Sequence, residues 1–161
     1  MEIVASIGPK RGATGGQSSL RLNIQINDQP RAEPAKTVSL VRGGDIEKEL
    51  EDLRGLDQEY LVCFTLDAAM MIINRRTVAI GTQNTVYTDP RQIFYGAVSD
   101  RAAYVVIAHN HPSGTLRPSK GDITTTQKLA AAGQILGISL LDHIIITKKG
   151  SFSFAANGLV I

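Results

Sequence analysis

Two histidines and an aspartate lie within a window of fourteen residues in the second half of the chain. His109 and His111 are separated by one residue, and Asp122 follows a turn that contains Pro112 and Gly114. Because side chains at positions i and i+2 of an extended segment point to the same side, both imidazoles can converge on one point. Two imidazoles and a carboxylate are good zinc ligands, and three protein ligands leave a fourth tetrahedral position for water. The spacing therefore predicts one catalytic Zn²⁺ per chain, which lowers the pKa of its water to about 7.

The same window also has a simpler interpretation. The Ser119-x-x-Asp122 spacing before an apolar helix is that of a capping box, in which the two residues satisfy each other's backbone amides. His143, the third histidine of the chain, could replace Asp122 in a rival site with the other two histidines. We expect instead that His143 or its neighbour Asp142 supports the structure or orients a ligand.

Hydrolysis at such a metal also needs a carboxylate that moves protons without binding the ion. Glu59, at the head of an apolar strand, is one candidate, and Asp57 and Asp67 compete with it on spacing alone. An exposed charge at the end of a strand is the simpler interpretation of Glu59. The residue types alone therefore leave the general base undecided.

Periodicity predicts the elements that would bring these residues together. A short continuous apolar run over 103–108 is typical of a strand buried on both faces, and it ends immediately before His109. A helix over 122–136 opens near Ser119 and ends at Gly137, so a short turn can return its first turn to the end of the strand. The other predicted strands are 60–66, 70–73, 78–80, 138–141, 144–147, 151–154 and 159–161, and the other predicted helices are 45–53 and 90–98.

The domain organisation follows from the same pattern. Strands alternate with helices in the second half of the chain, which predicts one α/β (α+β) domain over 37–161 with helices packed on a sheet. Residues 1–36 are predicted to form an N-terminal arm. Glycine and serine over 1–19 predict a loose segment, and alternation over 20–26 predicts a strand. The arm could pair with a sheet edge of the same chain or of a second copy, so a homo-oligomer formed through it is an open alternative.

Bulk composition is that of an ordinary globular protein. The chain has 161 residues, of which 43% are apolar and 20% charged, and this length can bury a core without disulfides. Cys63 is the only cysteine, so we expect a reduced thiol in a cytoplasmic protein. No apolar run is long enough to span a membrane, and no signal-peptide pattern is found. The net charge is +2 and the basic residues are scattered, so the charge pattern does not support nucleic acid as a partner.

The ordered set of motifs resembles the JAMM metalloprotease motif of JAB1/MPN+ domains: an upstream glutamate, then His-x-His-Pro, then Ser-x-x-Asp. It is most similar to the RadC branch, which has long been labelled a DNA repair family. The resemblance extends from about residue 40 to the C-terminus. The segments that carry it, in the order of the family, are 55–60, 64–67, 81–82, 89–94, 108–114, 118–119, 122–123, 132–133 and 136–146.

This resemblance implies a role for each residue of the motif. His109, His111 and Asp122 would bind the zinc ion. Glu59 would be the general base, and Ser119 would donate a hydrogen bond to the oxyanion, a contact worth about 3 kcal/mol of barrier. The resemblance also implies a JAB1/MPN fold, which is a mixed β-sheet sandwiched by helices and is similar to that of cytidine deaminases.

The chain departs from the family pattern in two respects. Full-length RadC-like chains usually carry an N-terminal helix-hairpin-helix region, which is a DNA-binding element. Only about 40 residues precede the shared domain, so we expect this sequence to lack that region. Deubiquitinating members have insertions that grip ubiquitin, and the short segments here argue against a ubiquitin-specific role.

The function that these residues favour is hydrolysis of a peptide or isopeptide bond in a protein or peptide substrate. The alternative enzyme class is a nuclease or another DNA-repair-associated activity, which depends only on the label of the branch. A third alternative is a non-catalytic MPN domain that binds a partner. The complete set of motif residues argues against this third alternative, because a non-enzymatic scaffold need not keep all of them.

Overall fold

The computed structural model describes residues 2–8, 21–27, 43–81 and 88–160, with side chains from residue 46 onward. The chain divides into two compact units, 1–35 and 36–161. In the first unit, β1 (Glu2–Gly8) pairs with β2 (Arg21–Asn27) as an antiparallel hairpin. The strand predicted at 20–26 is therefore present with a shift of one residue.

The prediction of a loose segment over 1–19 is wrong for residues 2–8, which form β1. The β-branched residues Ile3, Val4 and Ile7 favour a strand, and the glycine-rich composition begins only after them. Residues 9–19 lie outside the described residues.

The second unit is built on a mixed sheet, as predicted, and this sheet has five strands. Its strand order is β4-β3-β5-β6-β7, in which β5 and β6 are parallel and all other neighbours are antiparallel. The strands are β3 (Tyr60–Leu66), β4 (Ile72–Ile80), β5 (Tyr104–Asn110), β6 (Ser139–Thr147) and β7 (Gly150–Ser153). The helices are α1 (Gly43–Lys48), a 3₁₀ helix (Glu51–Leu53), α2 (Pro90–Ser99) and α3 (Lys120–Leu136).

Each face of the sheet has its own apolar core, because successive strand residues point to opposite sides. One core lies on the side of α2 and α3, and the other lies on the side of α1 and the 3₁₀ helix. β5 contributes Val105 and Ile107 to the first core and Val106 and Ala108 to the second, and all four are at most 2% exposed. The prediction of a strand buried on both faces is confirmed. His109 lies near the C-terminal end of this central strand, and His111 follows it by one residue.

The ends of the two longer helices agree with their local sequence. Asp89 caps α2 by accepting a hydrogen bond from the amide of Arg91, and Pro90 occupies the first helical position. α3 begins after Ser119 and ends at Gly137, which has a φ of 69°. A left-handed residue there suits glycine, because a Cβ would be strained in that conformation.

Several predicted boundaries are wrong. β4 and β6 are each one continuous strand, although each was predicted as two pieces, because polar residues inside them interrupt the apolar pattern. In β4 these are Asn74 to Thr77, on an edge strand where polar side chains are tolerated. The helix predicted over 45–53 is divided between α1 and the 3₁₀ helix. No strand forms over 159–160, because the Leu159 amide closes a turn onto the carbonyl of Phe154. Within the described residues, no helix is both long and apolar enough to cross a membrane.

Candidate metal centre

Three elements of the second unit converge at the C-terminal end of β5. His109 lies within β5, and His111 follows the strand by one residue. The register of β3 against β5 places Leu61 opposite His109, so Glu59, two residues before Leu61, lies beside the same strand end. Asp122 is in the first turn of α3.

The four side chains form one cluster of metal-ligand atoms. One such atom from each of Glu59, His109, His111 and Asp122 lies within 4.8 Å of the others. The Nε2 atom of His109 is 3.4 Å from Oδ1 of Asp122 and 3.6 Å from Oε1 of Glu59. The Nε2 atom of His111 is 3.6 Å from Oδ2 of Asp122 and 2.9 Å from Nε2 of His109. The three predicted metal ligands and the predicted general base are therefore brought together.

The orientation of His111 indicates what this cluster can hold. Its Nδ1 lies 2.6 Å from the backbone oxygen of Thr115. A carbonyl oxygen only accepts, so Nδ1 carries the hydrogen and Nε2 of the neutral ring presents a lone pair. That lone pair faces the His109 ring and two carboxylates. A set of acceptors this close is stabilised by a cation between them, either a metal ion or a proton, so the donor chemistry fits a metal site.

Charge states support the same conclusion. Burial lowers the pKa of His109 to about 4, which keeps this ring neutral at physiological pH. Burial opposes ionisation of Asp122, but hydrogen bonds with His111 and with the amide and hydroxyl of Ser119 outweigh it and hold the pKa of this carboxyl well below its usual range. The hydrogen bond to Asp122 raises the pKa of His111, against the opposing effect of burial. A proton on His111 therefore competes with a metal ion for the cluster.

Glu59 differs from the other two acidic candidates in its surroundings. Glu59 is buried, with 4% of its surface exposed. Burial raises the pKa of its carboxyl; His111 opposes this shift, and the charge of Asp122 adds to it. Asp57 is exposed. Asp67 accepts hydrogen bonds from the amides of Ala69 and Met71 in the turn between β3 and β4, at the other end of the strand. Of the three, Glu59 alone belongs to the cluster.

Ser119 forms the capping box that the simpler interpretation predicts. Its hydroxyl oxygen accepts from the Asp122 amide at 3.1 Å, and its own amide donates to Oδ2 of Asp122 at 2.7 Å. The same carboxylate faces both histidines, so capping and the metal cluster are not alternatives. The cap holds the Asp122 carboxylate toward the rings, and the Ser119 hydroxyl both accepts from the Asp122 amide and interacts with the Asp122 carboxylate.

His143 lies outside the cluster, on the other side of the His109 ring. Its Nε2 is 2.8 Å from Nδ1 of His109, the atom opposite the one that faces Asp122. Asp142 accepts hydrogen bonds from the amides of His143 and Ala155 and from the hydroxyl of Ser153. Neither residue has a ligand atom in the four-residue cluster.

A small cavity adjoins the cluster. It encloses about 10 Å³ of free volume, roughly the space of one water-sized sphere. Within the part of the chain that the structure describes, the buried hydroxyl of Thr88 has no hydrogen-bond partner. The cavity is lined by Glu59, Leu61, Thr88, His109, Asp122, Thr125 and His143. A cavity of this size, with polar side chains in its lining, can accommodate a water molecule beside the cluster.

Sequence reasoning missed Asn110, the residue between the two histidines. Its side chain is buried and points away from the rings. It accepts from the Tyr60 amide at 2.7 Å and donates to the carbonyls of Gln58 at 2.8 Å and Leu56 at 3.4 Å. These bonds tie the segment that carries Glu59 to the end of β5, between His109 and His111. The only sequence signal was a polar residue at the end of an otherwise apolar strand.

Replacement of Asn110 by leucine should therefore loosen the link between Glu59 and β5. The Tyr60 amide and the Gln58 carbonyl would lose their partner, and we expect the free energy of unfolding to fall by about 1–3 kcal/mol. Urea denaturation checks this. Gln58→Ala is the matched control, because Gln58 contributes its backbone carbonyl to these bonds. Equal stability of the two variants would show that the Asn110 bonds do not hold the segment.

Comparison with known proteins identifies the family. The family model described as "RadC-like JAB domain" matches residues 44–159. The chain belongs to the RadC-like JAB domain family. The match contains all four residues of the cluster, so this RadC-like domain has a group of side chains that could bind a metal ion.

Relatives of this RadC-like chain are proteins named "UPF0758 protein". The one from Methanospirillum hungatei is 49% identical over 100 residues, which is 62% of this chain and 44% of the relative. The one from Desulforamulus reducens is 33% identical over 159 residues, 98% of this chain and 68% of the relative. The one from Thermotoga maritima is 34% identical over 142 residues, 88% of this chain and 63% of the relative. The matched region thus spans between 44% and 68% of the length of these relatives.

Proposed function

We propose that this RadC-like domain is a zinc-dependent hydrolase that cleaves a peptide or isopeptide bond. The observation that carries the proposal is the cluster of Glu59, His109, His111 and Asp122 within 4.8 Å. Two imidazoles and one carboxylate are the ligand set of single-zinc peptidases, which keep an open coordination position. Glu59, 3.6 Å from the His109 ring nitrogen, is then available as a carboxylate that does not bind the ion.

The side chains of this chain would divide the work of hydrolysis between them. Zinc would supply a Lewis acid that polarises the carbonyl and lowers the pKa of water to about 7. Glu59 would take a proton from the attacking water and pass it to the departing amine, a task suited to a carboxyl whose pKa is raised by burial. Ser119 would turn its hydroxyl hydrogen from the Asp122 carboxylate toward the oxyanion. Its oxygen would keep the bond from the Asp122 amide.

Two features favour a protein substrate over DNA. The basic side chains are scattered along the sequence rather than clustered, whereas DNA-binding domains concentrate them on one face. Many nucleases use two metal ions about 3.5–4 Å apart, and within the described residues one group of metal ligands is found. The cluster is better suited to a single ion with a nearby base.

A cleavage assay with a peptide library tests this proposal. Zinc-loaded protein should cleave peptides, lose the activity when a zinc chelator is added and regain it when zinc is restored. The same preparation should leave linear and single-stranded DNA intact. Cleavage of DNA without cleavage of peptides would overturn the proposal, as would peptide cleavage that is insensitive to the chelator.

A further inference from the structure

A line of hydrogen bonds extends into the core behind the metal cluster. Nδ1 of His109 is 2.8 Å from Nε2 of His143, and Nδ1 of His143 is 2.6 Å from Oγ1 of Thr126. The Thr126 hydroxyl lies 2.7 Å from the backbone oxygen of Asp122. His109, His143 and Thr126 are each at most 2% exposed. The line therefore joins one predicted metal ligand to the backbone of another without passing through solvent.

The position of each hydrogen in this line follows from its last acceptor. The Asp122 carbonyl only accepts, so the single hydroxyl hydrogen of Thr126 points toward it. The Thr126 oxygen must then accept from His143, and Nδ1 of His143 carries a hydrogen. Full burial disfavours a charged ring, and a neutral imidazole has one N–H. Nε2 of His143 therefore accepts, and the donor is Nδ1 of His109.

We propose that His143 and Thr126 are positioning residues that hold His109 in the Nδ1–H tautomer, with its Nε2 lone pair directed at the metal centre. The other tautomer would place a hydrogen on Nε2, where it would block a metal ion. A histidine ligand whose second nitrogen is held by such a partner binds metal more tightly. The proposal rests on the proposed function only in that the centre binds a metal.

The packing around His143 supports a fixed ring. Phe154 stacks on it with ring centroids 4.5 Å apart and an interplanar angle of 15°. The Phe154 amide donates to the His143 carbonyl at 2.9 Å. Asp142 accepts hydrogen bonds from the two residues that flank Phe154, through the hydroxyl of Ser153 and the amide of Ala155. The ring is thus held by a stacked neighbour on its face and by hydrogen bonds at both of its nitrogens.

A pair of substitutions at Thr126 tests this proposal without changing charge or much volume. Thr126→Val removes the hydroxyl that accepts from His143, and Thr126→Ser keeps it. We expect zinc affinity, measured by competition with a coloured chelator, to fall by about 10–100-fold in the valine variant and to stay close to wild type in the serine variant. Thermal unfolding of the metal-free proteins verifies that both are folded.

Nitrogen-15 NMR of the imidazoles gives a readout that a merely structural role would not move. The chain has three histidines, so their signals can be assigned by single replacements. In metal-free wild-type protein, His109 and His143 should both be Nδ1–H tautomers, and Thr126→Val should shift His109 toward a mixture. His143→Gln serves as a second variant and should also weaken zinc binding. If it fails to fold, the threonine pair still decides.

The proposal is overturned if Thr126→Val binds zinc as tightly as wild type, or if His109 carries its hydrogen on Nε2 in the metal-free protein. Both outcomes are independent of catalysis. Suppose that the domain binds zinc, that Thr126→Val weakens this binding, and that no peptide is cleaved. This result would contradict the proposed function and leave the positioning role intact. Suppose instead that the domain cleaves peptides and that both threonine variants bind zinc as tightly as wild type. This result would contradict the positioning role and leave the proposed function intact.

Discussion

Glu59→Gln is expected to lower the rate of peptide hydrolysis by about 10²–10⁴-fold, the range for loss of a general acid–base group. The amide is similar in size to the carboxyl but cannot accept and return a proton. Glu59 is assigned no place among the metal ligands, so the variant should still bind roughly one zinc per chain. Initial rates with a cleaved peptide and metal analysis of the same sample measure the two effects.

Asp57→Asn is the matched control for this variant. Asp57 is two residues from Glu59 in the same segment, but its side chain is exposed. Its replacement by asparagine removes the same charge as Glu59→Gln. Its activity and zinc content should both equal those of wild type. Loss of zinc from Glu59→Gln would show that Glu59 is a ligand rather than the base. Full activity of Glu59→Gln would remove it from the chemistry altogether.

Asp122→Asn should have the other large effect, which is a loss of zinc affinity of more than about 100-fold. Replacing a group that only supports a ligand already lowers metal affinity by about 10–100-fold, and a ligand itself should matter more. The substitution removes the only ionised carboxylate predicted to bind the ion. An asparagine oxygen can still accept from the Ser119 amide, which Asp122 accepts at 2.7 Å. Helix α3 should therefore keep its cap, and the loss should appear in metal binding rather than in folding.

Equilibrium dialysis against buffered zinc measures the affinity, and circular dichroism reports whether α3 is retained. Lys120→Gln is a suitable control, because it changes an exposed charge in the same turn of the helix and should leave zinc binding close to wild type. Unchanged affinity in Asp122→Asn would contradict the ligand set, and equal losses in both variants would indicate a general effect of charge.

The sequence predicts that His109, His111 and Asp122 meet, because their geometry is local. β5 is recognisable as a buried strand, and residues two apart at its end must share a side. Asp122 follows from the helix start that Ser119 marks. The Ser119-x-x-Asp122 spacing alone fits either a helix cap or a metal site. In the structure, one Asp122 carboxylate accepts from the Ser119 amide and also faces both histidines.

The supporting residues could not be predicted in this way, because their partners are distant in the chain. The choice of Glu59 over Asp57 and Asp67 depends on the register that sets Leu61 opposite His109, and a single sequence does not contain that register. Asn110 binds a segment about fifty residues earlier. Such long-range hydrogen bonds have no periodic signal. The middle of β4 was missed for a different reason, because its polar residues interrupt the apolar pattern.

X-ray anomalous scattering at the zinc absorption edge is the most direct measurement of the metal site. Crystals of zinc-loaded protein should show one strong peak per chain in the second unit. It should lie about 2.0–2.2 Å from Nε2 of His109, Nε2 of His111 and a carboxylate oxygen of Asp122, with Glu59 outside bonding distance. A peak bonded to His143, or no peak among these three side chains, would contradict the account.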